Sequence, residues 1–282
     1  MDDATLKTWI GRTETRRDIT SEAPLQRLAA LLDYASPPWT PGEVPPLGHW
    51  LNFLPQDRQS DIDHDGHAKR GGFLPPITLP RRMWAGSRLT FEAPIRIGSE
   101  IERRSEIIDV APKTGASGKM ILVKVRHEVF SGNARAIVEE HDIVYRDVPM
   151  ATPSTASASK NAEPPSPTAI IRSVTPDPVQ LFRFSALTFN GHRIHYDRDH
   201  AREEGYPGLI VHGPLIAVLL MDHYRRNFPS ARVTKFNIRF QNPVFDIEPF
   251  DLCLDETASG ADLRAINKAG KTCATASIEA VR

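Results

Sequence analysis

Gly213-Pro214-Leu215-Ile216-Ala217-Val218-Leu219-Leu220-Met221 is the stretch that decides the fold. Proline suits the first position of a helix, where its missing N–H removes no hydrogen bond. From Leu215 to Met221 no polar face interrupts the apolar run. A helix that is apolar all round is buried all round. Arg225 and Arg226 fall in its last turn, where cations complement the helix dipole, and Pro229 ends it. The run is far shorter than the roughly 18 residues that span a membrane.

The segments around this helix alternate with period two. After it, Lys235–Phe240, Phe250–Glu256, Leu263–Asn267 and Thr272–Val281 read as strands, with turns at Ser259-Gly260 and Ala269-Gly270. Before it, strand signals begin near Arg88. They continue through Ile101–Val110, Met120–Phe130 and Ala134–Tyr145, with a hairpin turn at Ser131-Gly132-Asn133. Val179–Leu187 also reads as a strand. Ala23–Tyr34 spaces Leu25, Leu28, Ala29 and Leu32 as a short amphipathic helix. Residues 1–20 are charged with little period, Ser36–Pro46 is a proline-rich loop, and Asp61–Gly72 is polar and turn-rich, a candidate mobile loop. One central helix wrapped by an antiparallel sheet is the hot-dog architecture, an α+β fold.

The two halves of the chain resemble each other. Phe91-Glu92-Ala93-Pro94-Ile95 aligns with Phe240-Gln241-Asn242-Pro243-Val244 at an offset of 149, which also carries Ile101 onto Phe250. The expectation is a double hot-dog. Its first half is degenerate, because the same offset from the buried helix lands on the polar segment Asp63–Gly71. Residues 149–168 hold mainly Ala, Ser, Thr and Pro and read as a linker. That divides the chain into a substrate-shaping half, 1–148, and a catalytic half, 169–282.

At 282 residues, 40% apolar and 25% charged, the composition is that of a packed globular protein. Zero net charge gives no bulk attraction to nucleic acid or to an anionic membrane. Cys253 and Cys273 both fall in strand segments and no signal-like N-terminus is present, so reduced thiols and a cytoplasmic location are expected. Neither a glycine-rich phosphate loop nor a Gly-x-Ser-x-Gly elbow occurs, so nucleotide hydrolysis and serine-esterase chemistry lack support.

The polar stretch leading into the helix, Asn190 to Pro214, holds His192, His195, His200 and His212 together with Arg193, Asp197 and Asp199. An imidazole both takes and gives a proton near neutral pH. His195, just before Asp197 and on the approach to the buried helix, is the leading acid/base candidate. A lone loop histidine is usually just exposed; the cluster argues otherwise. Asn190 is no base, but its amide can orient a water, unless Asn190-Gly191 is simply a turn. The N–H of Gly213, at the helix N-terminus, can polarise a carbonyl, or Gly213 merely caps the helix. Arg193 can clamp a carboxylate or phosphates, or pair with Asp197 or Asp199. Arg81, Arg82 and Trp84 form a basic and aromatic spot suited to a nucleotide-bearing ligand such as coenzyme A, or an ordinary amphipathic surface. The histidine spacing matches no common zinc pattern. Asp61-Ile62-Asp63-His64-Asp65-Gly66 opens like a calcium loop, but Gly72 stands where its closing glutamate belongs. No metal is expected.

Phe184-Ser-Ala-Leu-Thr-Phe-Asn-Gly-His-Arg-Ile-His-Tyr-Asp197, with Gly205-Tyr-Pro-Gly-Leu-Ile-Val-His-Gly-Pro214, resembles the MaoC-like, (R)-specific enoyl-CoA hydratase superfamily of hot-dog proteins. More narrowly it is similar to the double-hot-dog branch of mesaconyl-C4-CoA and itaconyl-CoA hydratases, related to type 2 hydroxyacyl-thioester dehydratases. Pro80-Arg81-Arg82-Met83-Trp84-Ala85-Gly86 looks like the first half of that branch. The resemblance implies reversible addition of water to a 2-enoyl-CoA, giving citramalyl-CoA from a branched dicarboxylic substrate. It implies no metal or redox cofactor, with coenzyme A entering only as part of the substrate. His195 falls on the catalytic imidazole, Asn190 on the wider family's catalytic aspartate, and His192 on its asparagine. Gly213 matches the glycine whose N–H faces the thioester carbonyl. Either Asn190 only orients water and His195 makes both proton transfers, or Asp197 supplies the carboxylate. Arg193, His192, His212, Arg82 and Trp84 are the expected substrate contacts. A hot-dog thioesterase and a non-catalytic acyl-CoA-binding module are the competing readings. The chain is expected to be a monomer with an internal pseudo-dimer, or a homodimer.

Overall fold

The computed structural model of the chain describes residues 3–115, 118–147 and 165–281. In order these form α1 (Asp3–Lys7), β1 (Thr13–Ile19), α2 (Glu22–Leu31), β2 (Arg81–Phe91), β3 (Glu100–Gly115), β4 (Gly118–Ser131) and β5 (Ala134–Arg146). The second half holds β6 (Ile170–Val174), α3 (Pro178–Thr188), α4 (Arg198–Glu203), α5 (Gly213–Asn227), β7 (Arg232–Phe240), β8 (Phe250–Thr257), β9 (Gly260–Asn267) and β10 (Thr272–Val281).

All ten strands join one sheet in the order β1-β3-β4-β5-β2-β7-β10-β9-β8-β6. From the centre outward the first half runs β2-β5-β4-β3-β1 and the second β7-β10-β9-β8-β6, the same order twice. The halves meet where β2 pairs antiparallel with β7, from Gly86 opposite Arg239 to Thr90 opposite Lys235. The repeat expected from the 149-residue offset is therefore present in the strand order.

α5 lies against β8, β9 and β10, and every residue from Leu215 to Tyr224 is buried. Leu252, Leu254, Phe236 and Ile238 complete this core. Each such side chain contributes roughly 1.5–3 kcal/mol by leaving water. Among the described residues the first half has no equivalent helix: between α2 and β2 only the 3-10 turns Gly48–Leu51 and Gln59–Asp61 form. Its apolar core is split in two, around Val123, Val125 and Tyr145 on one side and Ile101, Val129 and Ile137 on the other. Between them lies a polar band. Buried Glu139 accepts hydrogen bonds from His49 Nε2 (3.1 Å), Trp50 Nε1 (3.1 Å) and His141 Nε2 (2.5 Å). Burial opposes its charge, yet these histidines hold Glu139 well below the usual carboxylate range.

Two expectations are corrected. Val179–Leu187 is not a strand but most of α3. Asp177 caps this helix, its Oδ1 accepting the N–H groups of Val179 (2.7 Å) and Gln180 (2.9 Å), and Pro178 follows in the first turn. Leu181, Phe184 and Ser185, at helical spacing, are the buried ones, while Val179 and Phe182 face solvent. The segment Asp61–Gly72 is an ordered turn, with Ile62 bridged to Ala68 and Asp63 N–H bonded to His67 O at 2.7 Å. Most of the expected linker, residues 149–164, lies outside the described residues. Cys253 and Cys273 are buried free thiols, and among the described residues no helix is long and apolar enough to cross a membrane.

Candidate active site

α3 closes on Phe189, which takes left-handed backbone angles (φ 50, ψ 37), and the chain turns into the loop that carries His195. Arg193–His195 forms a single 3-10 turn. Its position is fixed from behind: Ile210 N–H donates to Ile194 O at 3.0 Å, and His195 Nδ1 lies 2.7 Å from Ile210 O. A carbonyl only accepts, so Nδ1 carries the proton. Nε2 is then the lone-pair nitrogen of the neutral ring. His195 is 7% exposed, and burial lowers its pKa to about 4 despite the Ile210 carbonyl. His212 stacks on it at 3.7 Å between centroids, and His192 meets it edge-on at 5.4 Å. Burial, then the neighbouring His67 and His195, push the His192 pKa far down. These rings are neutral at pH 7.

Several expected roles are reassigned by these contacts. Asp197 does not reach His195: its Oδ1 caps α4 through the N–H groups of Asp199 and His200, and its Oδ2 takes Arg193 at 2.7 Å. Arg193 is thereby paired and is not a free clamp. His212 is not a substrate contact but a fully buried backing ring, its Nε2 bonded to Ser185 Oγ at 2.8 Å. Asn190 uses its Oδ1 to accept His192 N–H at 3.0 Å, which shapes the loop and leaves its second lone pair and its NH2 for a water. His200 is buried beside Glu203 and Glu204, within α4 and its end.

Gly213 opens α5 beside Trp84 of β2 and Phe240 of β7. A Cβ at this position would sit 3.3 Å from Trp84 Cε3 and 3.3 Å from Phe240 Cζ. Trp84 and Phe240 pack at 4.9 Å, so the two halves build one aromatic wall around the positive end of the helix. Trp84 is held by Nε1–H donating to Ser87 Oγ at 3.1 Å and by His141 at 5.6 Å, which connects the wall to the polar band.

The first half contributes more than the sequence suggested. A cavity of about 420 Å³ is lined by Asp65, His67, Arg81 and Arg82, among others. His195 is set back from it by one ring, because His67 meets His192 at 4.0 Å. Burial lowers the His67 pKa, partly offset by its hydrogen bond to Asp65. Arg81 is engaged with Glu204 O (2.7 Å) and Tyr206. Arg82 has no carboxylate partner among the described residues. A second cavity, about 380 Å³, lies near the far end of α5, between Leu28, Trp39, Met221 and Arg225, and no histidine lines it. Asp65 and His67 line this cavity and were not among the residues singled out from the sequence. The density of Asp63, His64, Asp65 and His67 around Gly66 was a signal, but it reads first as a broken calcium loop.

The family model for hydroxyacyl-thioester dehydratase type 2 matches residues 47–246. The mesaconyl-C(4)-CoA hydratase of Chloroflexus aurantiacus is 45% identical over 281 residues, covering 99% of each chain. The chain belongs to the hydroxyacyl-thioester dehydratase type 2 family. As a family member it is a hydro-lyase of the hydratase and dehydratase type, acting on a CoA thioester. Solved structures share the fold of this dehydratase. HtdX of Mycobacterium tuberculosis matches with a TM-score of 0.68 at 20% identity, covering 96% of this chain and 100% of its own. A second protein of that organism, described as a double hot-dog, matches with a TM-score of 0.57 at 14% identity, covering 96% of each.

Proposed function

We propose that the chain adds water reversibly to a 2-enoyl-CoA carrying a free carboxylate, a substrate of the mesaconyl-C4-CoA type. The observation that carries this reading is the locked tautomer of His195, which leaves a basic Nε2 close to the start of α5. The conjugated thioester makes the β-carbon electrophilic. His195 Nε2 takes a proton from water as the C–O bond forms there. The π electrons move onto the thioester oxygen, where the Gly213 N–H and the helix terminus stabilise them. One such donor is worth roughly 3–4 kcal/mol in comparable sites. The imidazolium then returns its proton to the α-carbon. No step needs a metal or a redox cofactor.

Arg82 is the cation for the free carboxylate. It lines the cavity near His67 without a carboxylate partner, whereas Arg193 is neutralised by Asp197. Each chain holds both halves, so a monomer is sufficient, and the buried thiols suit the cytoplasm.

The test is direct. Purified protein is mixed with mesaconyl-C4-CoA, and loss of the conjugated-thioester absorbance is followed with free thiol measured in parallel. Hydration removes absorbance without releasing thiol. Thiol release would make the protein a thioesterase, and no change at all would leave only a binding module. His195→Gln should lower kcat by roughly 10²–10⁴-fold.

A further inference from the structure

A hydration site holds the attacking water from more than one side, and the loop 190–197 brings no free carboxylate to do so. Position 190 is an amide, not a carboxylate, with its Oδ1 already accepting one N–H of the loop, and Asp197 is spent on Arg193 and on α4. The first half brings a different carboxylate. Asp65 accepts the His67 ring Nδ1–H at 3.0 Å and the His67 backbone N–H at 2.9 Å. One nitrogen of His67, one of His192 and one oxygen of Asp65 lie within 4.8 Å of one another. His67 also acts electrostatically on His195.

This placement is built by the backbone. Asp65 O accepts Arg193 N–H at 2.9 Å, and His64 O accepts the Arg193 guanidinium at 3.1 Å. Gly66, at φ +90, packs so tightly on the catalytic loop that a Cβ would lie 1.8 Å from Gly191 O. Only glycine fits there. The turn 63–67 is thus docked onto the loop 190–193 and carries His67 to His192.

We propose that Asp65 and His67 are a second water-holding pair of this site, contributed by the half of the chain that lacks the central helix. Asp65 fixes the proton on Nδ1, so His67 Nε2 is an acceptor. It takes one O–H of the attacking water as a hydrogen bond while His195 Nε2 takes the other. The O–H facing His195 breaks, the C–O bond forms at the β-carbon, and His195 returns that proton to the α-carbon. The O–H held by His67 remains as the product hydroxyl. His67 touches the reacting water; Asp65 is a positioning residue. The assignment rests on the hydratase reading above.

The deciding experiment compares His67→Asn with His67→Gln. Asparagine places its amide near Nδ1 and keeps a bond to Asp65 without an acceptor at Nε2. Glutamine places its amide near Nε2. If His67 holds water, kcat falls about 100-fold in H67N and only about 10-fold in H67Q, with KM within threefold and unfolding temperature unchanged in both. A purely structural role gives the reverse order, H67N being the milder change, and overturns the proposal. Asp65→Asn should lower kcat roughly 10-fold or more by releasing the tautomer. Full activity in all three variants also overturns it and leaves the hydratase reading intact. Inactive wild-type protein defeats both. Activity lost on chelation and restored by Zn²⁺ would make the triad a metal site and overturn the proposal as well.

Discussion

Acidification tests the catalytic base most directly. Free imidazole titrates near 6.5, and burial brings His195 to about 4. The difference disfavours the imidazolium by about 3 kcal/mol. The groups around the ring are the Ile210 carbonyl, His192, His212 and, further off, His67; none offers a carboxylate to reverse the shift. A base works only when neutral. kcat/KM should therefore stay level from about pH 8 down to about pH 5 and fall tenfold per pH unit only below about pH 4. The assay is the initial rate of absorbance loss with mesaconyl-C4-CoA below KM, at constant ionic strength. Unfolding must be separated from titration. A buried neutral histidine with a lowered folded pKa contributes its full stability above about pH 6.5 and loses it as pH falls toward about pH 4. His192 and His212 act in the same direction. Samples held at each pH and then assayed at neutral pH show whether a loss is reversible protonation. A reversible acid limb centred at 6.5 or above would refute the buried-base argument.

Other consequences follow from single contacts. Arg82→Ala should raise KM about 10-fold or more for mesaconyl-C4-CoA and little for crotonyl-CoA, while Arg193→Ala should affect both alike by loosening the 63–67 turn; steady-state kinetics on the two substrates separates them. Gly213→Ala pushes a methyl to 3.3 Å from Trp84 and Phe240 and should lower kcat about 10-fold with a folded protein by circular dichroism; unchanged kcat removes the oxyanion role from this helix end. Glu139→Ala strips the acceptor from His49, Trp50 and His141 and should cost roughly 3–5 kcal/mol in chemical unfolding; a loss below about 1 kcal/mol would show that the polar band is not held by that charge.

What the sequence made legible follows from how much each feature depends on local pattern. The apolar run Leu215–Met221 has one physical solution, and α5 is where it was expected. The strands β4 and β5 share the Ser131-Gly132-Asn133 turn, so their limits were close, whereas β3 runs five residues beyond the expected Val110. α3 was misread because Val-Gln-Leu and Phe-Arg-Phe each alternate over three residues as a strand does, although Asp177-Pro178 was a sufficient start signal. β1 was missed because an edge strand of charged residues shows no apolar face: Thr13–Ile19 alternates only between exposed and half-buried. His195 was singled out from its own loop, and the structure buries it against His212 at the start of α5. The reassignment of Asp197 and Arg193 was not legible, since a capping bond and an ion pair look the same in sequence as a catalytic acid and a clamp.

The missed pair, Asp65 and His67, marks the limit of reading each half by itself. Without a central helix, the roughly fifty residues between α2 and β2 are not packed inside the first sheet. Part of that chain covers the sheet through His49 and Trp50, which is why the core there is split by polar groups instead of filled by leucines. Another part reaches across to the second half, held by backbone bonds to Arg193 and by the glycine contact at Gly66. Such docking depends on two backbones meeting, and backbone complementarity leaves no periodic trace. A half that looks degenerate by its missing helix can still be functional through the loops that replaced it. The contrast between H67N and H67Q distinguishes that function from mere cover, because only water-holding by Nε2 makes the glutamine the milder substitution.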